Sequence, residues 1–191
     1  MLFDLGGVLL PFDPRRRVRA VADALEVDEA LARAALSMGL FAQMDLGQAT
    51  VLDFASRFST TSGRDVGEDE ARQLILSVFE APNDELWALA HQLKDRVVVG
   101  GFSDNPAFVR GVFPAGAALN PMFWSSELGA TKGSEAAFAA VEARLGAPAD
   151  AILLVDDSLA NVVLARRRGW DAVRFTHNVG LRAEFAQRGL T

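Results

Sequence analysis

The 191-residue sequence contains no cysteine, which excludes disulfides, cysteine-ligated zinc sites and thiol catalysis. It also has no uninterrupted apolar run of about 18 residues, the length that a membrane-spanning helix needs. Positive charge is scarce, because 19 Lys and Arg against 25 Asp and Glu leave a net charge of −6. That balance argues against a nucleic-acid or membrane-surface partner. An anionic substrate would therefore require a local cation or a bound metal.

The chain begins without a basic segment leading into an apolar one, the pattern of a secretory signal, so we expect a cytoplasmic protein. Half of its residues are apolar, and the length allows one substantial core or a core with a small accessory domain. The first apolar run, Met1–Leu5, is unusually short for a buried strand. We expect the natural strand to begin upstream of this start.

Two patterns of apolar residues divide the chain. From Asp13-Pro14, a favourable helix start, to about Asp95, apolar residues recur at helical spacing. Beyond that point predicted strands alternate with helical segments, the first of which begins at about Pro106. The predicted strands are Val97–Phe102, Met122–Ser125, Ala151–Val155 and Asp171–Phe175. This order predicts an α/β fold with a Rossmann-like parallel sheet. Residues 1–12 plus 95–191 would form the core domain, and residues 13–94 an all-α cap inserted after the first strand.

Polar residues follow the predicted strands, at the ends where open α/β sheets bind ligands. These residues are Asp4, Ser103, Lys132 and the pair Asp156-Asp157. Together they supply a carboxylate nucleophile, a carboxylate for a metal, a cation and a hydroxyl. Phosphoryl transfer from an ester requires these groups.

Four segments at these places resemble the four motifs of the haloacid dehalogenase (HAD) superfamily, in the right order and at the right spacing. They are Phe3-Asp4-Leu5-Gly6-Gly7-Val8-Leu9, Phe102-Ser103-Asp104-Asn105, Leu128-Gly129-Ala130-Thr131-Lys132 and Val155-Asp156-Asp157-Ser158-Leu159-Ala160-Asn161. Within the superfamily the chain is similar to the branch of the α-D-glucose-1-phosphate phosphatases and the phosphatase domains of soluble epoxide hydrolases. Met38-Gly39 followed by residues 45–50 resembles a run typical of the caps in that branch.

The resemblance implies a Mg²⁺-dependent phosphatase that acts on a small phosphate monoester, with a sugar phosphate as one candidate. Asp4 would attack phosphorus and form an aspartyl-phosphate. Asp4, the backbone oxygen of Gly6 and Asp157 would hold the Mg²⁺ ion, which prefers a few carboxylates plus water and phosphate oxygens. Lys132 would neutralise the nucleophile and the transferring group.

Further residues take supporting roles under the same resemblance. Phosphate oxygens and substrate would be held by Ser103, Asp104, Asn105 and Lys132. Asp156 would hold water or orient Lys132, and Asn161 would tie the Asp156-Asp157 loop to its neighbours. Asp13 matches an Asp commonly found after the first motif and is a further substrate-binding candidate.

One position departs from the pattern, because Gly6 stands where most phosphatases of this superfamily carry a general acid. A general acid contributes on the order of 10²–10⁴-fold. The substrate could have a good leaving group, such as the anomeric oxygen of a sugar 1-phosphate, and this is the preferred explanation. Asp13 or a cap residue could instead supply the proton, or the protein could have lost efficient turnover.

Two alternative functions remain open, and so does the role of one basic segment. A 2-haloacid dehalogenase shares the fold, the Asp and the Lys, but the resemblance implies a Tyr and a Ser-x-Asn loop where this chain has Gly6 and the Asp156-Asp157 pair. A non-catalytic phosphate-binding protein is the second alternative, supported by Gly6 and by the short first strand. Four arginines near the start of the first cap helix form either a solvated face or a contact to an anionic substrate: Arg15, Arg16, Arg17 and Arg19. No pattern indicates an oligomeric state.

Overall fold

The computed structural model describes residues 1–36, 39–117 and 119–190. Their strands form one five-stranded sheet with the order β3-β2-β1-β4-β5 and every pair parallel. The strands are β1 (Leu2–Phe3), β2 (Gly100–Ser103), β3 (Met122–Trp124), β4 (Leu153–Asp156) and β5 (Asp171–Arg174). The predicted α/β fold with a Rossmann-like parallel sheet is confirmed.

Helices connect these strands. Between β1 and β2 lie α1 (Pro14–Leu25), α2 (Glu29–Leu36), α3 (Leu40–Asp45), α4 (Val51–Ser62), α5 (Glu68–Leu76) and α6 (Asp84–Leu93). After β3 follow α7 (Ser125–Leu128), α8 (Glu135–Leu145), α9 (Leu159–Arg167) and α10 (Asn178–Gln187). Among the residues described, no helix is both long and apolar enough to cross a membrane.

The helix predicted from about Pro106 is not an α-helix. Residues Ala107–Val112 form a short 3₁₀ helix instead. Gly111 lies inside this segment and Pro114 follows two residues after it. Glycine disfavours a helix interior and proline cannot continue one, so only a short, tighter turn forms here.

The sheet is buried on both faces. Leu2 packs on one side with Phe138 and Trp170, whereas Phe3 packs on the other with Phe185 and Trp87. This alternation is the two-residue period of a strand. Because helices cover both faces, β1, β2 and β4 are buried at every residue rather than at alternate ones, whereas the edge strand β5 begins and ends with exposed residues.

The helices between β1 and β2 pack into two different cores. Helices α1 to α5 enclose an apolar cluster of their own around Phe54 and Phe58, whose rings stack 4.3 Å apart. Helix α6 packs instead with the sheet, where Trp87 Nε1 donates a hydrogen bond to the Leu9 oxygen at 3.1 Å. The predicted cap of residues 13–94 stays a prediction. On this packing we propose that the cap comprises α1–α5 and that α6 belongs to the core domain.

Strand β1 occupies the position that determines where a ligand binds. Its two neighbours are β2 on one side and β4 on the other, so the order of the connections reverses beside β1. Such a switch point leaves a crevice at the carboxyl ends of the strands. The Asp4 amide continues the pairing with β4 by donating to the Val155 oxygen at 2.8 Å. Asp4 therefore lies at the crevice.

Candidate active site

Lys132 is the centre of the polar cluster at the carboxyl ends of the strands. It is 2 % exposed, and its Nζ lies 2.7 Å from Asp4 Oδ1 and 2.7 Å from Asp156 Oδ2. Its backbone amide donates to Asp104 Oδ1 at 2.8 Å. Residues at the carboxyl ends of β1, β2 and β4 are thereby joined through one lysine. The structure brings together Asp4, Lys132 and Asp156 of the strand-end pattern and adds Asp104, which belongs to the second motif of the resemblance.

Burial strongly perturbs the charges of this cluster. Removal from water raises the pKa of Asp4 to about 7, with the negative charge of Asp156 adding to the rise and Lys132 opposing it. Burial alone would lower the pKa of Lys132, but the charges of Asp4, Asp156 and Asp104 outweigh it and raise that pKa. The lysine is therefore a permanent cation, and Asp4 is a carboxylate that ionises close to neutral pH.

Three carboxylates could hold a metal ion. Asp4, Asp156 and Asp157 each offer an oxygen, and the three oxygens lie within 4.8 Å of one another. The carboxylate of Asp157 occupies the space beside Gly7, where a β-carbon would lie 2.5 Å from Asp157 Oδ2. Gly7 also has φ of +76°, a conformation that favours glycine. The first motif thus needs glycine at this position to admit the Asp157 carboxylate.

Asp156 is already saturated by protein donors. Besides Lys132, the Ser158 amide donates to its Oδ1 at 2.9 Å, and Asn161 Nδ2 lies 3.1 and 3.2 Å from its two oxygens. Asp157 is the more exposed of the pair and lines the cavity above Asp4. The geometry therefore suits the predicted division of labour, in which Asp157 takes a cation and Asp156 with Asn161 holds the loop and Lys132.

The phosphate-binding residues predicted after β2 lie at different depths. Ser103 is fully buried, and its Oγ accepts a hydrogen bond from Asn105 Nδ2 at 3.0 Å. Asp104 and Asn105 line the cavity, whereas Ser103 does not. The Ser103 hydroxyl is therefore placed to orient Asn105, and the loop surface is presented by the two residues that follow it.

A cavity of about 370 Å³ lies over Asp4, Lys132 and Asp157, with Gly6 and Gly7 in its wall. The cap and the segment leading to it supply its other side through Phe12, Arg17, Phe41, Met44, Asp45 and Ile75. Four carboxylates and two cations line this cavity: Asp4, Asp45, Asp104, Asp157, Arg17 and Lys132. An anionic substrate would therefore need an additional cation, and the carboxylate cluster is suited to hold it.

The cap residues of this wall are the functional candidates that sequence reasoning did not single out. The sequence analysis left open whether Arg17 and the other arginines of its run contact a substrate or only solvent. Its guanidinium lies 4.0 Å over the Phe41 ring, and its Nε donates to the Ile75 oxygen at 3.1 Å. Burial lowers the pKa of Arg17 to about 10, with the Asp45 charge opposing the shift. Asp45 belongs to residues 45–50, which resemble the caps of related phosphatases, but the sequence assigned it no role.

Other predicted residues lie away from the cavity. Asp13 caps α1 by accepting from the Arg15 amide at 3.0 Å, and its carboxylate also pairs with Arg15 Nε. Asp13 does not line the cavity, and neither do Arg15, Arg16 and Arg19. The helix start predicted at Asp13-Pro14 is confirmed. Met38, part of the cap resemblance, lies outside the described residues.

A larger cavity, of about 690 Å³, lies at the opposite end of the sheet. Its wall includes Met1, Val98 and Leu190 near the amino ends of the strands. None of the predicted site residues lines it. The volume of a cavity therefore does not identify the active site here. The smaller cavity, which contains the buried charged residues, is the candidate active site.

The fold of the described chain is that of several solved HAD family enzymes. The described chain is similar to a HAD family enzyme of Bacteroides thetaiotaomicron, at 20 % identity with 92 % of each chain covered and a TM-score of 0.81. That enzyme is also known in complex with magnesium and inorganic phosphate. A predicted HAD-like hydrolase of Porphyromonas gingivalis is similar at 22 % identity and a TM-score of 0.77, over 91 % of this chain and 88 % of that one.

A more distant likeness extends to L-2-haloacid dehalogenase of Xanthobacter autotrophicus, at 16 % identity and a TM-score of 0.61, covering all of this chain and 83 % of that one. No protein-family model matches the sequence, and no curated protein matches it. At these identities the comparisons establish the fold, and the chemistry depends on the residues of the site.

Proposed function

We propose that the protein is a Mg²⁺-dependent phosphatase that hydrolyses a small phosphate monoester through an aspartyl-phosphate at Asp4. The observation that carries this proposal is the contact of Asp4 with the buried Lys132 beside the exposed carboxylate of Asp157. A nucleophile, a fixed cation and a metal-binding carboxylate thus share one cavity. The HAD fold of the chain supports the same assignment.

Each residue has a task in this reaction. Asp4 Oδ2 is free of the contacts that hold Oδ1 to Lys132 and the Leu5 amide, so Oδ2 is the oxygen that attacks phosphorus. Lys132 stabilises charge on the transferring phosphoryl group. The loop of Asp104 and Asn105 lines the cavity, where its backbone N–H groups would hold phosphate oxygens. Bound Mg²⁺ would neutralise the phosphate charge, held by Asp4, Asp157 and the backbone of Gly6.

The cap wall favours a particular type of leaving group. Phe41, Met44 and Ile75 supply apolar contact area, and Arg17 and Asp45 supply polar groups. A cavity of about 370 Å³ is suited to a small ester with an apolar face and a few polar substituents. A sugar phosphate fits this description, and we propose it as the more specific substrate class.

The test is hydrolysis of p-nitrophenyl phosphate and a panel of metabolite phosphates with Mg²⁺ present. We expect turnover that EDTA abolishes and that Asp4→Asn lowers by at least about 10³-fold, since the nucleophile is lost. Asp23→Asn, which removes an exposed carboxylate of α1, is the matched control and should retain full activity. Wild-type protein no more active than Asp4→Asn on every ester would refute the proposal.

Two further measurements distinguish the alternatives. A non-catalytic phosphate-binding protein would bind BeF₃⁻ in the presence of Mg²⁺ and hydrolyse no ester. A 2-haloacid dehalogenase would release chloride from 2-chloropropionate in EDTA. We expect no chloride release, because the Asp156-Asp157 pair provides a cation site that halide displacement does not need.

A further inference from the structure

The cap contributes one carboxyl group to the cavity above the nucleophile. Asp45 is the last residue of α3, and it lines the same cavity as Asp4 and Lys132. Asp45 comes from the cap, whereas Asp4 and Lys132 come from the strand ends. With a phosphate at Asp4, the rest of the ester would extend into the same cavity, where a cap carboxyl can meet the leaving group. Gly6, where the family pattern carries a general acid, has no side chain to reach that group.

Close packing between the cap and the core holds Asp45 in place. Two residues after it, Gly47 has φ of +70°, and a β-carbon there would overlap the backbone oxygen of Ser126. Ser126 in turn donates from Oγ to the Asn105 oxygen at 3.3 Å. The end of α3 therefore rests on α7, and α7 is hydrogen-bonded to the loop that presents Asp104 and Asn105 to the cavity.

The surroundings of Asp45 favour a carboxyl group that exchanges its proton near neutral pH. Burial raises the pKa of Asp45 to about 7, the nearby charge of Asp104 adds to the rise, and Arg17 opposes it. The charged groups facing Asp45 are thus Arg17 from α1 and Asp104 from the loop after β2. A general acid is most effective when its pKa is close to the working pH.

We propose that Asp45 protonates the leaving-group oxygen, the task that Gly6 cannot perform. The proposal rests on the phosphatase function proposed above. In the first step the bond from Asp4 Oδ2 to phosphorus forms, the bond from phosphorus to the ester oxygen breaks, and the Asp45 proton passes to that oxygen to give an alcohol. In the second step water attacks phosphorus, Asp45 takes a proton from it, and phosphate leaves Asp4.

This assignment has a consequence for the substrate. An enzyme without a proton donor is limited to esters whose leaving group is stable as an anion. With Asp45 as donor, alkyl phosphates also become substrates. The relevant substrate class is then small phosphate esters of ordinary alcohols, in addition to aryl and anomeric phosphates.

The experiment compares Asp45→Asn with the wild type on two substrates in Mg²⁺. Glycerol 3-phosphate has a leaving group that needs a proton, whereas the nitrophenolate of p-nitrophenyl phosphate does not. We expect kcat to fall on the order of 10²-fold on glycerol 3-phosphate and less than about threefold on p-nitrophenyl phosphate. The fall of kcat/KM for glycerol 3-phosphate above about pH 7 in the wild type should also be lost in the variant.

A second variant tests the role independently of cap folding. A β-carbon at Gly6 would have Phe12 Cδ2, at 3.9 Å, as its nearest neighbour, so Gly6→Asp can be accommodated. The double variant Asp45→Asn with Gly6→Asp should be at least about tenfold more active on glycerol 3-phosphate than Asp45→Asn alone. Asp23→Asn is the matched control on the cap and should leave both substrates unchanged.

The outcomes separate this proposal from the one on which it rests. If Asp45→Asn affects both substrates equally or neither, or if Gly6→Asp gives no rescue, Asp45 is not the proton donor, although the phosphatase function stands. If the wild type hydrolyses neither substrate above the Asp4→Asn level, the phosphatase function itself is wrong.

Discussion

Replacing Asp4 by Asn should make the protein more stable while abolishing hydrolysis. The Asp4 carboxylate is buried among the other acidic groups of the site, and only Lys132 among its close contacts carries a compensating positive charge. Asn keeps a carbonyl oxygen that can accept from Lys132 Nζ and the Leu5 amide as Asp4 Oδ1 does. The substitution therefore removes an unfavourable buried charge and preserves the local hydrogen bonds.

The pKa of Asp4 determines the size and the pH dependence of this effect. Folding raises that pKa from 3.8 to about 7, so the native state binds more protons than the unfolded chain between these values. The free energy of unfolding consequently falls as the pH rises from about 4 to about 7. A difference of roughly three pKa units corresponds to about 4 kcal/mol. We expect Asp4→Asn to increase the free energy of unfolding by about 2–4 kcal/mol above pH 7, relative to the wild type.

Thermal unfolding in EDTA measures the effect. One kcal/mol corresponds to about 2–4 °C in Tm for a chain of this length, so Tm should rise by about 4–16 °C at pH 8 and by little at pH 4. Mg²⁺ should narrow the difference at pH 8, because it binds and stabilises the ionised wild-type site. Asp23→Asn, at an exposed position, should show no such pH dependence. A Tm for Asp4→Asn that is unchanged or lower at pH 8 would contradict the reasoning.

Two further predictions concern the residues around Asp4. Gly7→Ala should weaken Mg²⁺ binding about tenfold or more in calorimetric titration, because its β-carbon would displace Asp157. Gly63→Ala, at φ of +70° in open space, carries similar backbone strain and should leave Mg²⁺ affinity unchanged; equal losses would contradict the role of Gly7. Lys132→Met should abolish hydrolysis and cost about 3–5 kcal/mol in denaturant unfolding, since it leaves buried carboxylates unpaired. Lys94→Met is the control, and a Lys132→Met protein as stable as that control would refute the role of the ion pairs.

The sequence by itself was sufficient to predict the fold class and which core residues lie together in the candidate site. Most of the strands lie in local apolar runs, and Asp4, Asp104 and Asp157 directly follow β1, β2 and β4. Parallel strands end at one edge of a sheet, so residues at these ends meet without any detailed knowledge of packing. The requirement for glycine at position 7, in contrast, depends on how closely the Asp157 carboxylate approaches it.

The tertiary structure alone decided which residues between β1 and β2 line the cavity. Helical spacing shows that α3 has an apolar face, but it does not show which residues of its remaining surface look toward Asp4. Only packing places Asp45 and Arg17 in the cavity and leaves Asp13 outside it. Packing likewise assigns α6 to the sheet, because its periodicity is the same as that of the cap helices. Local sequence was sufficient to predict the candidate reacting groups, whereas contacts between residues distant in sequence determined which groups line the cavity.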